Sequence, residues 1–250
     1  MPLLLPALIG HRGACAYAPE NTLESLRTAA EMGAKWVEID VKLTSDGVPI
    51  LMHDDLLDRT TNGFGPVAER TLADLRDLEA GSWFADSFSG IKIPTLEEAI
   101  DVLLELNLGL NLEIKACPGR EVETAEATLD ILSRVWDEPD RLLLTSWSPV
   151  ALETALDMAP EWPRELPLRM EDFEGNWQEL ADYVEAAAIA LDGNACTREQ
   201  VEAIMDSERQ VLAYTINDPQ RAQILRSWGV DGLLTDAPDV LAPVLAQARH

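Results

Sequence analysis

The feature that most constrains the fold is a regular alternation of short apolar runs with longer amphipathic stretches through nearly all 250 residues. Runs of this kind are typical of buried strands, and the stretches between them have helical period. The predicted strands are residues 7–10, 36–43, 110–114, 142–146, 166–170, 187–191, 211–215 and 232–234. Eight strand-plus-helix units predict an α/β fold, a (β/α)8 TIM barrel, because a doubly wound sheet usually has fewer strands.

Helix-length stretches follow the strands, and several begin with a residue that caps helices well. The candidate caps are Asn21 or Thr22, Thr95 and Thr197, which stand at the start of such stretches, where a side-chain oxygen accepts a hydrogen bond from the first turn. The predicted helices are residues 22–32, 96–106, 121–136, 149–158, 177–185, 197–206, 219–228 and 238–248.

One long segment interrupts the alternation. Residues 54–94 carry turn signals at Asn62-Gly63, Gly65-Pro66 and Ser89-Gly90. The segment is too long for an ordinary loop between a strand and a helix. We therefore predict one barrel domain, residues 1–250, with a small inserted subdomain at 54–94, after the second strand, that caps one end of the barrel.

The charge of the chain excludes several classes of partner. A net charge of −26 repels nucleic-acid backbones and anionic lipid headgroups, so we expect neither nucleic acid nor a membrane as partner. An anionic substrate would need a local group of positive charges. The apolar start lacks a basic segment and a cleavage site, and three cysteines far apart in sequence are typical of reduced thiols. We expect a cytoplasmic protein, monomeric or homodimeric; adaptation to salt is an alternative source of the acidity.

Charged side chains recur at every second position of two predicted strands. Glu38, Asp40 and Lys42 project from one face of the second strand, and Glu113 and Lys115 repeat the pattern on the third. In a barrel the apolar faces pack on the helices, which puts these charges inside. Buried charges must pair or bind a metal, and three converging carboxylates suit a hard divalent cation, Mg²⁺ before Ca²⁺. A Glu113–Lys115 ion pair of purely structural role is the alternative.

Two of the three histidines in the chain follow apolar runs. His11 stands beside Arg12 after the first strand, and His53 stands beside Asp54. The C-terminal ends of barrel strands meet at one face, which holds the active site, so we expect both histidines there. Two histidines can act as general base and general acid, while Arg12 and Lys115 suit a phosphate. Together with a metal, these residues predict cleavage of a phosphodiester.

An ordered set of motifs carries a resemblance to a known family. "HRG", "APENTLES", "VEIDVKLTSDGVPILMHDD", "DRTTNG", "LEIK", "AGSWF", "LTSWSP", "AYTIN" and "GVDGLLTDAPD" occur in this order along essentially the whole chain. This arrangement resembles the glycerophosphodiester phosphodiesterases, most closely their cytosolic bacterial type. The family is a TIM barrel with a small insertion after the second strand.

The resemblance implies a reaction and a role for each matching residue. The reaction is hydrolysis of glycerophosphodiesters such as glycerophosphocholine to sn-glycerol 3-phosphate and an alcohol. The substrate's own 2-hydroxyl attacks phosphorus, and water then opens the cyclic phosphate. The implied roles are metal ligands Glu38, Asp40 and Glu113; acid–base residues His11 and His53; phosphate-binding residues Arg12 and Lys115; and supporting residues Glu20 and Asn21.

The chain departs from the family at one site residue, and other functions stay open. Tyr214 stands where many members have tryptophan, so we expect an aromatic surface for the glycerol carbons with altered packing. A phospholipase-type phosphodiesterase would need an apolar lip, for which the insertion offers only Trp83, Phe84 and Phe88. A glycosidase using Glu38 and Glu113 would leave both histidines without a role. A binding protein that lost catalysis would be expected to lose these residues first.

Overall fold

In a computed structural model, which describes residues 4–247, one sheet of nine strands forms the centre of the molecule. The strands are β1 (Leu8–Gly10), β2 (Trp36–Leu43), β3 (Pro49–Leu51), β4 (Gly109–Ile114), β5 (Leu142–Thr145), β6 (Arg164–Leu168), β7 (Ala186–Asp192), β8 (Gln210–Tyr214) and β9 (Gly232–Thr235). The strand order is β1-β9-β8-β7-β6-β5-β4-β2-β3, and β1 also pairs with β2. This last pairing closes eight parallel strands into a barrel, as the alternation predicts, while β3 adds an antiparallel pairing on β2.

Helices surround the barrel, and each barrel strand is followed by one of them. They are α1 (Leu23–Glu31), α2 (Leu72–Arg76), α3 (Leu96–Glu105), α4 (Glu121–Val135), α5 (Pro149–Met158), α6 (Trp177–Tyr183), α7 (Arg198–Asp206), α8 (Pro219–Trp228) and α9 (Pro238–Gln247). Only α2 lies outside this alternation, and Ala248, where the last helix was predicted to end, is outside the described residues. No helix within residues 4–247 is long and apolar enough to cross a membrane.

The predicted helix starts are confirmed by their capping geometry. Thr22, Thr95 and Thr197 each accept a hydrogen bond from the backbone N–H three residues later, and the side chain at that later position bonds back to the cap. Such reciprocal pairs satisfy backbone donors that a helix start otherwise leaves unpaired. The three threonines therefore fix where α1, α3 and α7 begin.

Alternation along β2 separates an apolar face, packed on the helices, from an inward face that carries carboxylates. Val37, Ile39 and Val41 of β2 belong to the large hydrophobic cluster between the barrel and its helices. Glu38 and Asp40 of the same strand are also buried, on the opposite face. The inward placement predicted for these two carboxylates is confirmed.

An apolar cluster occupies part of the barrel interior. Its buried members include Ile9, Trp36, Leu143, Ala188 and Leu212, which come from five different strands. Trp36 lies close to the backbone of Gly109, where a Cβ would come within 2.3 Å of the indole ring. The cluster includes residues near the start of β2, so the polar residues further along that strand lie towards its C-terminal end.

The fifth barrel strand was predicted two residues too late, at 166–170. The observed strand, β6, is Arg164–Leu168, and Met170 instead begins a short 3₁₀ helix. Arg164 belongs to the strand although it is charged, because its buried guanidinium donates to the backbone carbonyls of Trp162 and Val184. Pro167, which has no N–H to donate, lies beyond the two positions where β5 pairs with β6.

Residues 54–94 lie between β3 and α3, and their buried apolar side chains pack in one cluster with Ile50 of β3 and with Met52. The segment holds α2 and two short 3₁₀ helices, Val67–Glu69 and Asp86–Phe88. The buried members of this cluster are Ile50, Met52, Leu57, Val67, Leu75, Ala80 and Ile93. β3, absent from the predicted strands, leads into this segment, and the description of residues 54–94 as a subdomain that caps the barrel stays a prediction.

Candidate active site

A cavity of about 210 Å³ opens among the C-terminal ends of the barrel strands. Seven of the ten residues predicted for the site line it: His11, Arg12, Glu38, His53, Glu113, Lys115 and Tyr214. Glu20 and Asn21 line a smaller neighbouring pocket together with His53. Asp40, the remaining residue, lies behind the cavity wall and contacts several of the others.

Three carboxylates from two neighbouring strands converge at the cavity. Carboxylate oxygens of Glu38, Asp40 and Glu113 all lie within 4.8 Å of one another. The pairing of β2 with β4 puts Asp40 directly opposite Glu113. Burial, together with repulsion from the other two carboxylates, raises the pKa of Glu38 well above its usual value. The donor set consists of oxygen ligands alone and suits a hard divalent cation, whose charge would remove this repulsion.

Asp40 is the carboxylate held most firmly by its neighbours. Its Oδ2 accepts a hydrogen bond of 2.8 Å from Asn21 Nδ2, and its backbone N–H donates to Asn21 Oδ1 over 3.1 Å. Arg12 Nε lies 3.2 Å from the same carboxylate, and Lys115 Nζ lies 3.7 Å away. Burial opposes ionisation, but Arg12 and Lys115 outweigh it and lower the pKa of Asp40. Asn21 therefore positions a carboxylate of the cluster.

His11 is oriented by an acidic residue from the far end of the chain. Its Nδ1 lies 2.7 Å from Asp236 Oδ1, just after β9, and its Nε2 lies 4.0 Å from Glu38 Oε2. Cys15 Sγ donates to the same aspartate oxygen. Asp236 loses hydration on burial, but its bonds with His11 and Cys15 lower its pKa. An Nδ1–H held by Asp236 leaves Nε2 of His11 facing the carboxylate cluster.

His53 is oriented in the same way as His11, but by the next residue in the sequence, Asp54. Its Nδ1 lies 2.6 Å from Asp54 Oδ1, so that Nε2 is left for the cavity. Burial lowers the pKa of His53. Asp54 is in turn held by Arg59 through bonds of 2.7 and 2.8 Å, and these bonds hold its pKa below the usual range.

Arg59 also joins the insertion to the loop after β1. Its guanidinium donates to both oxygens of Glu20 over 2.7 and 2.8 Å, and Arg12 Nη1 donates to Glu20 as well, over 2.8 Å. Hydrogen bonds from Arg59 and the charge of Arg12 lower the pKa of Glu20 although burial opposes this. Glu20 thus fixes the Arg12 side chain, which is the supporting contact it makes in this structure.

The two lysines of the strands have different surroundings. Lys115 lines the cavity, and its Nζ donates to Glu113 over 2.7 Å. Lys42 is fully buried and donates to Asp55 over 2.6 Å and to the backbone carbonyl of Lys115 over 3.0 Å. Lys115 can therefore meet a ligand in the cavity, whereas Lys42 holds the start of the insertion against β4.

Aromatic side chains form one wall of the cavity. Tyr214 and Trp147 meet edge to face with ring centroids 5.8 Å apart. The Tyr214 hydroxyl donates to the backbone carbonyl of Leu168 over 3.0 Å. The aromatic surface expected from Tyr214 is thus present, and Trp147 extends it towards the cavity entrance formed by the loop after β5.

Several residues of the site were missed by the sequence predictions, among them Asp236, Arg59 and Glu165. Asp236 and Arg59 lie within the quoted motifs "GVDGLLTDAPD" and "DRTTNG", which are the signals that could have identified them. Glu165 lines the cavity from β6, the strand whose register was misplaced. Asp236 shows why a local pattern does not reveal such a residue, because it lies 225 positions from His11, the residue it orients.

The comparisons with known proteins agree on one family. A family model described as the glycerophosphoryl diester phosphodiesterase family matches residues 11–240. A glycerophosphodiester phosphodiesterase of Bacillus subtilis is 32% identical over 250 aligned residues, which cover 94% of this chain and 85% of the relative. A phosphodiesterase of Oleispira antarctica, solved in complex with the product sn-glycerol-3-phosphate, superposes with a TM-score of 0.93 at 39% identity, over 97% of each chain.

Proposed function

This chain belongs to the glycerophosphoryl diester phosphodiesterase family and is a glycerophosphodiester phosphodiesterase, and we propose that it uses one divalent metal ion and two histidines. The proposed substrates are glycerophosphocholine and glycerophosphoethanolamine, and the products are sn-glycerol 3-phosphate and the headgroup alcohol. The observation that carries the proposal is the convergence of three carboxylates beside two histidines whose Nδ1 atoms are each held by an aspartate.

The carboxylate cluster is the proposed metal site. Glu38, Asp40 and Glu113 offer only oxygen ligands, which Mg²⁺ and Ca²⁺ prefer, and the three acids are otherwise an unfavourable buried arrangement. Mg²⁺ is the favoured ion. When bound, such an ion supplies charge stabilisation at the phosphoryl oxygens and lowers the pKa of a hydroxyl beside it.

Arg12 and Lys115 are proposed to hold the phosphate. Both line the cavity beside the carboxylates, and both are held in place by acidic partners, Glu20 for Arg12 and Glu113 for Lys115. They supply positive charge in a chain whose net charge is −26. A guanidinium and an ammonium at fixed positions suit the oxygens of a phosphodiester.

The two histidines divide the proton transfers. In the first step one Nε2 accepts the proton of the glycerol 2-hydroxyl as its oxygen bonds to phosphorus. The bond from phosphorus to the headgroup oxygen breaks, and the other Nε2 protonates that oxygen, which leaves a cyclic glycerophosphate. In the second step the histidine that has lost its proton takes one from water as the water oxygen bonds to phosphorus; the bond from phosphorus to the glycerol 2-oxygen breaks, and the other histidine returns its proton to that oxygen. Asp236 and Asp54 keep each Nε2 free for these transfers.

Turnover with defined substrates tests the proposal. The purified protein is incubated with glycerophosphocholine or glycerophosphoethanolamine and Mg²⁺ or Ca²⁺, and sn-glycerol 3-phosphate is followed with a coupled dehydrogenase. We expect product with metal, none after chelation, and recovery when metal is added back. Full activity in excess chelator would contradict the metal role, and no product from any combination would contradict the substrate assignment.

A further inference from the structure

A polar layer within the barrel has no part in the proposed chemistry. Asn111 of β4 and Glu165 of β6 are both buried, 0% and 2% exposed, and both line the cavity. Asn111 Nδ2 donates to Glu165 Oε2 over 2.9 Å. Asn111 lies two positions before Glu113, so it sits about 7 Å further from the C-terminal end of the strand. The pair therefore forms a polar floor below the carboxylate cluster.

The floor retains unused hydrogen-bonding capacity. Among the residues that the structure describes, Asn111 Oδ1 has no hydrogen-bond partner, although the atom is buried. An unpaired buried carbonyl of this kind costs about 1–3 kcal/mol. Burial also raises the pKa of Glu165 to about 7, so near neutral pH its carboxyl group exists both as a donor and as an acceptor. A ligand hydroxyl can satisfy both groups, because it donates one hydrogen bond and accepts others.

The proposed reaction decides which part of the substrate reaches this floor. The glycerol 2-hydroxyl attacks phosphorus, and the headgroup oxygen leaves roughly in line with it, so the two parts extend to opposite sides of phosphorus. The attacking hydroxyl belongs beside the carboxylate cluster, which places the glycerol carbons on the inner side. The remaining hydroxyl, on carbon 1, then extends deeper into the barrel, while the headgroup extends towards the opening.

We propose that Glu165 and Asn111 bind the carbon-1 hydroxyl of the glycerol group and make the enzyme specific for glycerol over a diol without that hydroxyl. This inference rests on the proposed function. It assigns a role to a buried carboxyl group and a buried amide that neither metal binding nor proton transfer uses. A site built around a substrate hydroxyl discriminates strongly against analogues without it, because the buried polar groups are then left unpaired.

The test combines two substrates with variants of the floor. The substrates are glycerophosphocholine and 2-hydroxypropyl phosphocholine, which keeps the attacking hydroxyl and lacks the one on carbon 1. We expect wild-type kcat/KM to fall at least about 10-fold on the analogue. Glu165→Leu should lose a similar factor on glycerophosphocholine and almost nothing further on the analogue. Glu165→Gln, which retains hydrogen bonding, should keep most of the discrimination.

The proposal would be overturned if Glu165→Leu and wild type had the same ratio of kcat/KM between glycerophosphocholine and its analogue, because the carboxyl group would then not contribute to the discrimination. A variant that changes the ratio between ethanolamine and choline substrates, with unchanged glycerol preference, would do the same, because it would put the headgroup at the floor. Asn111→Leu provides a second variant if Glu165→Leu does not fold, and its kcat/KM values for the two substrates should likewise be similar.

A binding measurement separates this inference from the proposed function. Calorimetry compares sn-glycerol 3-phosphate with 2-hydroxypropyl phosphate on wild type and on Glu165→Gln and Glu165→Leu. We expect wild type to bind the glycerol compound at least about 10-fold more tightly and Glu165→Leu to bind the two alike. Equal binding by wild type overturns the inference even if turnover is observed, whereas selective binding without turnover supports it and contradicts the proposed reaction instead.

Discussion

At the scale of single residues, the two histidines show one common arrangement. Each Nδ1 lies within hydrogen-bond distance of an aspartate, Asp236 for His11 and Asp54 for His53. A carboxylate on Nδ1 fixes the ring orientation and the tautomer, so that Nε2 is the atom available for proton transfer. In the proposed mechanism the two aspartates act as positioning residues, and replacement of one by its amide should affect turnover more than folding.

Asp236→Asn should lower kcat by about 100-fold or more, because an amide can present its N–H to Nδ1 and stabilise the wrong tautomer of His11. The measurement is steady-state turnover of glycerophosphocholine, with thermal unfolding as the check on folding. Asp192→Asn is the matched control: Asp192 ends β7 at the same face of the barrel but bonds to the backbone of Asn194 in its own loop. Its kcat should stay close to wild type, and an equal loss in both variants would contradict the positioning role.

The convergence of the acidic residues in the carboxylate cluster could be predicted from the sequence, and the long-range partners of the histidines could not. Glu38, Asp40 and Glu113 lie on strands whose alternation distinguishes an apolar face from a charged one, which is local information. Asp236 and Arg59 act through contacts that only the closed barrel creates. No spacing rule connects Asp236 with His11 across 225 positions.

At the scale of elements, residues 54–94 contribute directly to the site through Arg59. Arg59 joins this segment to two parts of the site, since its guanidinium binds Asp54, which orients His53, and Glu20, which holds Arg12. The Arg59 side chain is 44% exposed, and ion pairs at such positions contribute little to folding. Its contribution is therefore expected in catalysis and substrate binding.

Arg59→Gln should reduce kcat/KM by about 10-fold or more while the free energy of unfolding changes by less than about 1 kcal/mol. Turnover and chemical denaturation of the same preparations measure the two quantities. Arg70→Gln serves as the control within the insertion, because Arg70 is exposed and bonds to the Phe64 carbonyl away from the histidines. Loss of stability without loss of activity in Arg59→Gln would show that the residue is structural.

The boundaries of helices and strands were predicted correctly where local side chains determine them. They were predicted wrongly where tertiary contacts determine them. The threonine caps of α1, α3 and α7 are local signals and were predicted correctly. The start of β6 was not, because Arg164 becomes compatible with a buried strand only through carbonyls supplied by Trp162 and Val184. Glu165, the next residue, was missed for the same reason.

The glycines around His11 show the same limit at the first strand. A Cβ on Gly13 would come within 2.4 Å of the Ser25 side chain, and the backbone there has a φ of +84°. Gly13 therefore permits a tight turn against α1, a role that follows from tertiary packing and could not be assigned from its position beside a histidine and an arginine.

At the scale of the whole molecule, charge is distributed unevenly. The chain carries a net charge of −26, yet Arg12, Arg59 and Lys115 are concentrated around the cavity. Two of them, Arg12 and Lys115, line the cavity itself and so offer a phosphate positive groups although the chain as a whole is acidic. The carboxylates beside them still repel one another, and a bound cation would supply the positive charge that removes this repulsion.

A divalent ion should stabilise the folded protein even without substrate. At a free ion concentration about 100 times Kd, Mg²⁺ is expected to add about 2.7 kcal/mol to the free energy of unfolding, because it binds the folded state. Thermal unfolding measures the shift, against NaCl of equal ionic strength, since salt alone screens the acidic surface. Glu38→Gln should abolish the specific shift, and Glu97→Gln, on the exposed side of α3, should retain it. Equal shifts in both variants would place ion binding elsewhere.

Catalysis by the two histidines is tested most directly with the variants His11→Ala and His53→Ala. Their turnover of glycerophosphocholine in saturating Mg²⁺ is compared with that of wild type, with sn-glycerol 3-phosphate measured as product. Acid–base catalysis by the two histidines predicts that wild type releases the product and that each variant loses about 100-fold or more in kcat. Each variant should keep its fold and its Mg²⁺-dependent stabilisation. A folded variant of either kind that retains more than about a tenth of wild-type kcat would contradict acid–base catalysis by the two histidines.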